Sequence, residues 1–172
     1  MKSLLSLTFI IALFTVIACT KGEQGPAGKD GNANVHSQTI TIQPSSWTHF
    51  NDAGYPGEGF ESVQNAPVIT QDIIDNGAVM AYISTDKQQW FALPMTFPTG
   101  LQDTIYDYSE SWNYVYLLNT IAIDIQDSDF FTMAPQDVIY LKVVAVAGTE
   151  LKRKKDINWL NYEQVRETYE LE

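Results

Sequence analysis

A mainly β fold, an antiparallel β-sandwich closed by a C-terminal helix, is the class the sequence predicts, on three observations. From Val35 onwards apolar residues recur at alternate positions in short runs, the period of a strand with one buried face. Turn signals separate these runs, as between connected antiparallel strands rather than in repeating strand-helix units. Helical spacing takes over only near the end, at Tyr162, Val165 and Tyr169. An immunoglobulin-like topology is one candidate, but its inter-sheet disulfide and companion tryptophan offer no test in a chain whose single cysteine is Cys19.

The elements follow in order. Between Val35 and Gln43, Ile40 and Ile42 share one face and Thr39 and Thr41 the other, which predicts a half-buried strand, with Trp47 and Phe50 as core residues after it. Gly54, Pro56, Gly57 and Gly59 make residues 51 to 59 an irregular loop. Thr70 is placed to cap a helical turn through Asp75, with Gly77 ending it in the left-handed conformation. Residues 78 to 85 are apolar on both faces, as in a central strand.

Asp86-Lys87 then reads as a turn, and residues 89 to 97 as a strand with Phe91, Leu93, Met95 and Phe97 on one side. Pro94 has no ladder donor, so that strand belongs at an edge or a bulge. Tyr114, Tyr116 and Leu118 share one parity while Ile121, Ile123 and Ile125 share the other, which predicts a bulge or a bend between sheets near Asn119-Thr120. Residues 137 to 147 form another apolar strand. Asn161 with Gln164 matches a capping box, so the last helix docks on the sheets.

Ahead of this domain stands a segment of different character. Lys2 is followed by an apolar run from Leu4 to Ile17, interrupted by Ser6, Thr8 and Thr15. It is shorter than the roughly 20 residues that span a bilayer and has the length of a signal-peptide core. The run closes on Val16-Ile17-Ala18-Cys19, which resembles the lipobox of bacterial lipoprotein precursors. That resemblance implies that Val16, Ile17 and Ala18 are read by the signal peptidase, that diacylglycerol is joined to the Cys19 sulfur, and that the leader, residues 1 to 18, is removed. With no second cysteine the mature domain depends on packing alone, and two or three acyl chains anchor a protein without any basic patch.

Four consecutive Gly-X-Y triplets occupy residues 22 to 33. Glycine at every third position is the requirement of a collagen triple helix. So short a run is read first as a polar spacer of about 37 Å within a tether spanning residues 19 to 34; a trimer would need the domain itself to hold three chains. Lipobox, collagen-like stub reading Asp30-Gly31-Asn32-Ala33-Asn34-Val35, and a β-rich domain of residues 35 to 172 together resemble a group of uncharacterised lipoproteins of Bacteroidota-type bacteria. Ile73-Ile74-Asp75-Asn76-Gly77-Ala78-Val79, Val143-Val144-Ala145-Val146-Ala147-Gly148 and Asn158-Trp159-Leu160-Asn161-Tyr162 extend the likeness over most of the chain. It implies an outer-membrane location, on the periplasmic or the cell-surface face, with membrane lipid and the lipoprotein processing and sorting machinery as partners. It implies no particular chemistry.

Composition narrows the functional classes. Removing the leader takes away Lys2 and no acid, moving the formal charge from −11 to −12, so a polyanion such as nucleic acid is a poor partner. Of two histidines, His36 and His49, the second has Ser45, Ser46 and Asp52 nearby in sequence, which does not make a triad. No paired cysteines and no His-Glu-x-x-His supply a zinc ligand set. Asp124, Asp127 and Asp129 are oxygen donors without the glycine and distal glutamate of a calcium loop. Neither catalytic residue, metal nor cofactor is expected, and the leading reading is a non-catalytic binding or structural module.

One stretch suggests a ligand. Tyr106, Tyr108, Trp112, Tyr114 and Tyr116 fall at even positions, and as one exposed face they would stack on sugar rings, with Tyr106, Tyr108 and Trp112 as the binding residues of a glycan-binding or glycan-processing lipoprotein. The alternative is that the later members are sandwich core. Lys152-Arg153-Lys154-Lys155, the one basic run, reads as a solvated loop before the helix.

Overall fold

The computed structural model describes residues 34–99, 108–153 and 156–171. Cys19, the residues around it, the Gly-X-Y tether, Tyr106 and Lys154-Lys155 lie outside them.

Among the described residues, nine strands form two antiparallel sheets. The first has the order β1 (Val35–Ile42), β9 (Ile139–Val146), β4 (Ala78–Ser84), β5 (Phe91–Ala92); the second runs β2 (Thr48–Phe50), β3 (Gly59–Asn65), β8 (Thr120–Asp127), β7 (Tyr108–Leu117), β6 (Met95–Thr99). Helices α1 (Gln71–Asn76), α2 (Gly148–Arg153) and α3 (Tyr162–Tyr169) complete the domain. The predicted sandwich is therefore present. Its strand order is not the A-B-E-D and C-F-G arrangement of an immunoglobulin domain.

The first sheet is covered on both faces. Ile139, Leu141, Val143 and Ala145 of β9 meet Ile121, Ile123 and Ile125 of β8 in the core between the sheets. Val144 and Val146 point the other way, into a cluster with Tyr82 of β4 and Tyr162, Val165 and Tyr169 of α3. A strand between two packed layers needs apolar residues at both parities, which is why β9 and β4 carry them. Among the described residues the second sheet is covered on one face, and its outer positions are polar or singly apolar, as at Val63 and Val115.

The α3 cap forms as predicted: Gln164 N–H donates to Asn161 Oδ1 at 3.2 Å. The return arm differs from a capping box, since Gln164 Oε1 accepts from Asn158 N–H. At α1, Ile73 N–H donates to Thr70 Oγ1, and Asp86-Lys87 turns with Lys87 at φ 61°.

Five expectations need correction. Gly77 does not adopt the left-handed conformation; it is extended, at φ −108° and ψ −156°. Glycine is needed there for space, because a Cβ would lie 2.4 Å from the Val146 carbonyl oxygen. The parity change near Asn119 is a hairpin turn, neither a bulge nor a bend between sheets: Leu117 pairs with Thr120 and Asn119 sits at φ 58°. Tyr114 stands opposite Ile123 and Tyr116 opposite Ile121, so both series face one core.

Residues 89 to 97 are not one strand. The chain leaves the first sheet after β5 and joins the second at β6, crossing at the cis Leu93-Pro94 peptide, with both short strands at sheet edges as the proline requires. Strand β3 was hidden within and beyond the predicted loop because its inward series is Phe60, Ser62 and Gln64. Ser62 is fully buried yet polar, its hydroxyl donating to the Ser46 carbonyl. Finally, residues 148 to 153 form α2, where a loop was expected from Lys152.

Gly77→Ala is expected to cost about 2 kcal/mol or more, because backbone rather than a movable side chain blocks the added methyl. Asn119→Gly should change stability by less than about 1 kcal/mol. Urea unfolding midpoints of the two variants, compared with the parent, check the contrast.

Candidate functional site

Two poles of the sandwich are built differently. The chain enters at one: Ala147 N–H donates to the Asn34 carbonyl, Val35 pairs with Val146, and the Leu118-Asn119 turn is tied to Ala66 and Ile69 by backbone hydrogen bonds. Tyr114 hydroxyl donates to the Val79 carbonyl at 2.8 Å, which sets the hairpin end of β7 over the start of β4. The opposite ends of those strands gather at the other pole, where Ser84 pairs with Tyr140, Ile42 with Ile139, and Glu110 with Asp127.

An apolar cleft of about 600 Å³ opens at this far pole. Ile83, Met95, Trp112 and Ile139 wall it, and Phe91 and Phe97, 54% and 38% exposed, are its most accessible aromatic groups. The walls follow from strand register: Phe91 lies opposite Ile83 across β4 and β5, and Met95 opposite Trp112 across β6 and β7. Glu110 is the one ionisable side chain in the lining among the described residues. Its Oε1 accepts from Trp112 Nε1–H at 2.6 Å, and the Trp112 ring meets Trp47 edge-on at 5.8 Å, so indole and carboxylate are both held in place.

Beside the cleft a polar chain joins two loops. His49 Nε2 is 2.6 Å from Glu58 Oε1, Thr132 N–H donates to Glu58 Oε2, and Asp127 N–H donates to Thr132 Oγ1. Gly54 N–H donates to the Phe130 carbonyl, closing the 51–58 loop onto the 128–134 segment. Glu58 and Asp127 are both buried, and their surroundings separate them. Burial pushes Glu58 up, but the Thr132 amide and His49 outweigh it and hold the carboxyl below its ordinary value. Burial, then the charges of Glu110, Asp129 and Glu58, push Asp127 up to about 6. Its Oδ1 has no hydrogen-bond partner among the described residues.

The residues singled out from sequence are placed unevenly. Trp112 is 5% exposed and Tyr114 and Tyr116 pack against the inter-sheet core, so the even-numbered face of β7 points inward and offers no open stacking platform. Trp112 forms part of the cleft wall. Tyr108 is half-buried at the start of β7, where burial, Asp127 and Glu110 raise its hydroxyl above the ordinary value. His49 partners Glu58 rather than Asp52, with no hydroxyl hydrogen-bonded to it among the described residues. His36 is exposed on β1.

Asp124, Asp127 and Asp129 do not converge. Asp124 accepts from Asn113 and Gln126 on the outer face, Asp127 is buried, and Asp129 accepts from Phe131 N–H in the turn. No group of three or more metal-ligating side chains occurs among the described residues. Sequence reasoning missed the cleft and Glu58; two exposed phenylalanines flanking a proline were the available sign. No helix among the described residues is long and apolar enough to cross a membrane. No family model matches the chain, and no significant match to a curated protein or a solved structure is found.

The acid pair predicts opposite pH behaviours. Asp127 keeps its proton in the folded chain up to about pH 6 but loses it near 3.8 when unfolded, so its contribution to stability falls as pH rises between those values. Asp127→Asn should therefore stabilise the protein by about 1 kcal/mol at pH 7 and leave it unchanged near pH 3. Glu58 has the reverse sign: its contribution is present above the ordinary 4.5 and is lost as pH falls, so Glu58→Gln should destabilise most at neutral pH. Unfolding temperatures of each variant minus the parent, from pH 3 to 8, measure both.

Proposed function

We propose that this chain is a lipoprotein of the bacterial outer membrane, anchored through acylated Cys19, whose sandwich is a non-catalytic binding module working at the pole opposite the start of its first strand. The observation that carries this reading is the polarity of the domain. Its N-terminal strand begins at Asn34-Val35 beside Ala147, while the cleft with Phe91 and Phe97 opens at the other ends of the same strands. The likeness to Bacteroidota-type lipoproteins with a collagen-like stub supports the same assignment.

Physical chemistry favours lipid as the anchor. With the leader removed, a formal charge of −12 repels anionic headgroups, so net charge gives the mature protein no hold on such a surface. Acyl chains contribute about 0.8 kcal/mol per buried CH₂ whatever the charge. The Gly-X-Y run then serves as the spacer. Cavity shape, with aromatic groups at an accessible margin and one fixed carboxylate, is that of a ligand site.

Cys19→Ser tests the anchor. In the host bacterium the variant should keep its leader uncut and lose incorporation of labelled palmitate, while the parent carries the label in the outer-membrane fraction. A variant that is processed normally and still sediments with membranes would sink the assignment.

A further inference from the structure

We infer that the cleft at the far pole binds a small apolar cation, a compact hydrophobic or aromatic body carrying one ammonium or guanidinium group that pairs with Glu110. This rests on reading that pole as the binding end, and it names the ligand class.

The chemistry of the lining selects the occupant. Ile83, Met95, Trp112 and Ile139 remove apolar surface from water, and the partly exposed Phe91 and Phe97 put aromatic groups in the lining. Aromatic faces attract cations through their quadrupole and lend nothing to an anion. Among the described residues no Lys, Arg or His lines the cleft, so a bound carboxylate or phosphate would find no counter-charge there. Asp127 is the cross-strand neighbour of Glu110 and Asp129 lies two residues beyond it, which makes the local potential more negative.

Glu110 itself argues against an uncharged apolar occupant. Trp112 Nε1–H occupies Oε1, and Oε2 has no hydrogen-bond partner among the described residues. Covering that oxygen with hydrocarbon would strip a charged acceptor of water and return nothing. A cation replaces the water with a charge-assisted bond. The fixed geometry of the Glu110-Trp112 pair means little is lost in ordering it.

The test uses the processed, lipid-bearing protein in detergent, with fluorinated tryptophan as a ¹⁹F-NMR reporter and the Trp112 signal assigned by Trp112→Phe. Three probes share one apolar body: 2-phenylethylamine, 2-phenylethanol and 3-phenylpropanoate. The amine should shift the Trp112 signal saturably, with affinity about tenfold or more above that of the alcohol, and Glu110→Gln should abolish the difference. Phe97→Ala, at an exposed position, should weaken both, and the amine more than the alcohol, without altering thermal unfolding, which separates loss of the site from loss of the fold. If the alcohol or the propanoate binds as tightly as the amine, the cationic class is overturned while the binding pole stands. If none of the three moves the Trp112 signal, both fall.

Discussion

Strand β9 is the constraint on which the rest of this structure depends. It lies between β1 and β4 in a sheet covered on both sides, and almost every side chain on it is buried. One parity completes the core between the sheets and the other receives α3. At about 1.5 to 3 kcal/mol for each large apolar side chain buried, this strand ties three layers together without a disulfide. Gly77 and Gly148 belong to the same constraint, since each lets backbone approach where a Cβ would collide, at Val146 and Asn76 respectively.

Lys142 shows how far that burial extends. It is 5% exposed on the outer parity of β9, and its ammonium lies 5.7 Å from the Trp90 ring and 5.9 Å from that of Tyr162. A charge at such a position persists only with its stem packed and its head paired with polarisable neighbours. The helix docks around it instead of excluding it.

At the far pole the balance shifts from apolar packing to satisfied polar groups. Glu58 is almost fully buried, and its two oxygens serve the His49 ring and the Thr132 amide, so one carboxylate holds β2, the 51–58 loop and the segment after β8 together. Asp127, linked to Glu58 through Thr132, is buried with one oxygen unmatched among the described residues and stays protonated to about pH 6. Two acids a short distance apart thus contribute with opposite sign, one as a clasp and one as a cost. Stability is given up next to the cleft, where the proposed binding chemistry needs negative charge.

Much of the fold was legible from residue order, and the limits of that reading have a physical origin. Alternation says which residues share a face of a strand, so β1, β4, β9 and the inward tyrosines of β7 were recognisable, and local hydrogen-bond chemistry marked the caps at Thr70 and Asn161. Alternation does not say where a chain reverses or changes sheet, so the hairpin at Asn119 looked like a bulge and the crossing at Leu93-Pro94 like a continuous strand. Polar residues that find partners in the interior break the pattern altogether, which hid Ser62 and with it β3. The site suffered most, because a cleft is made by what two sheet edges fail to cover: whether Trp112 faces water or core, and whether Glu110 stands alone among apolar neighbours, was decided only when non-local strands packed.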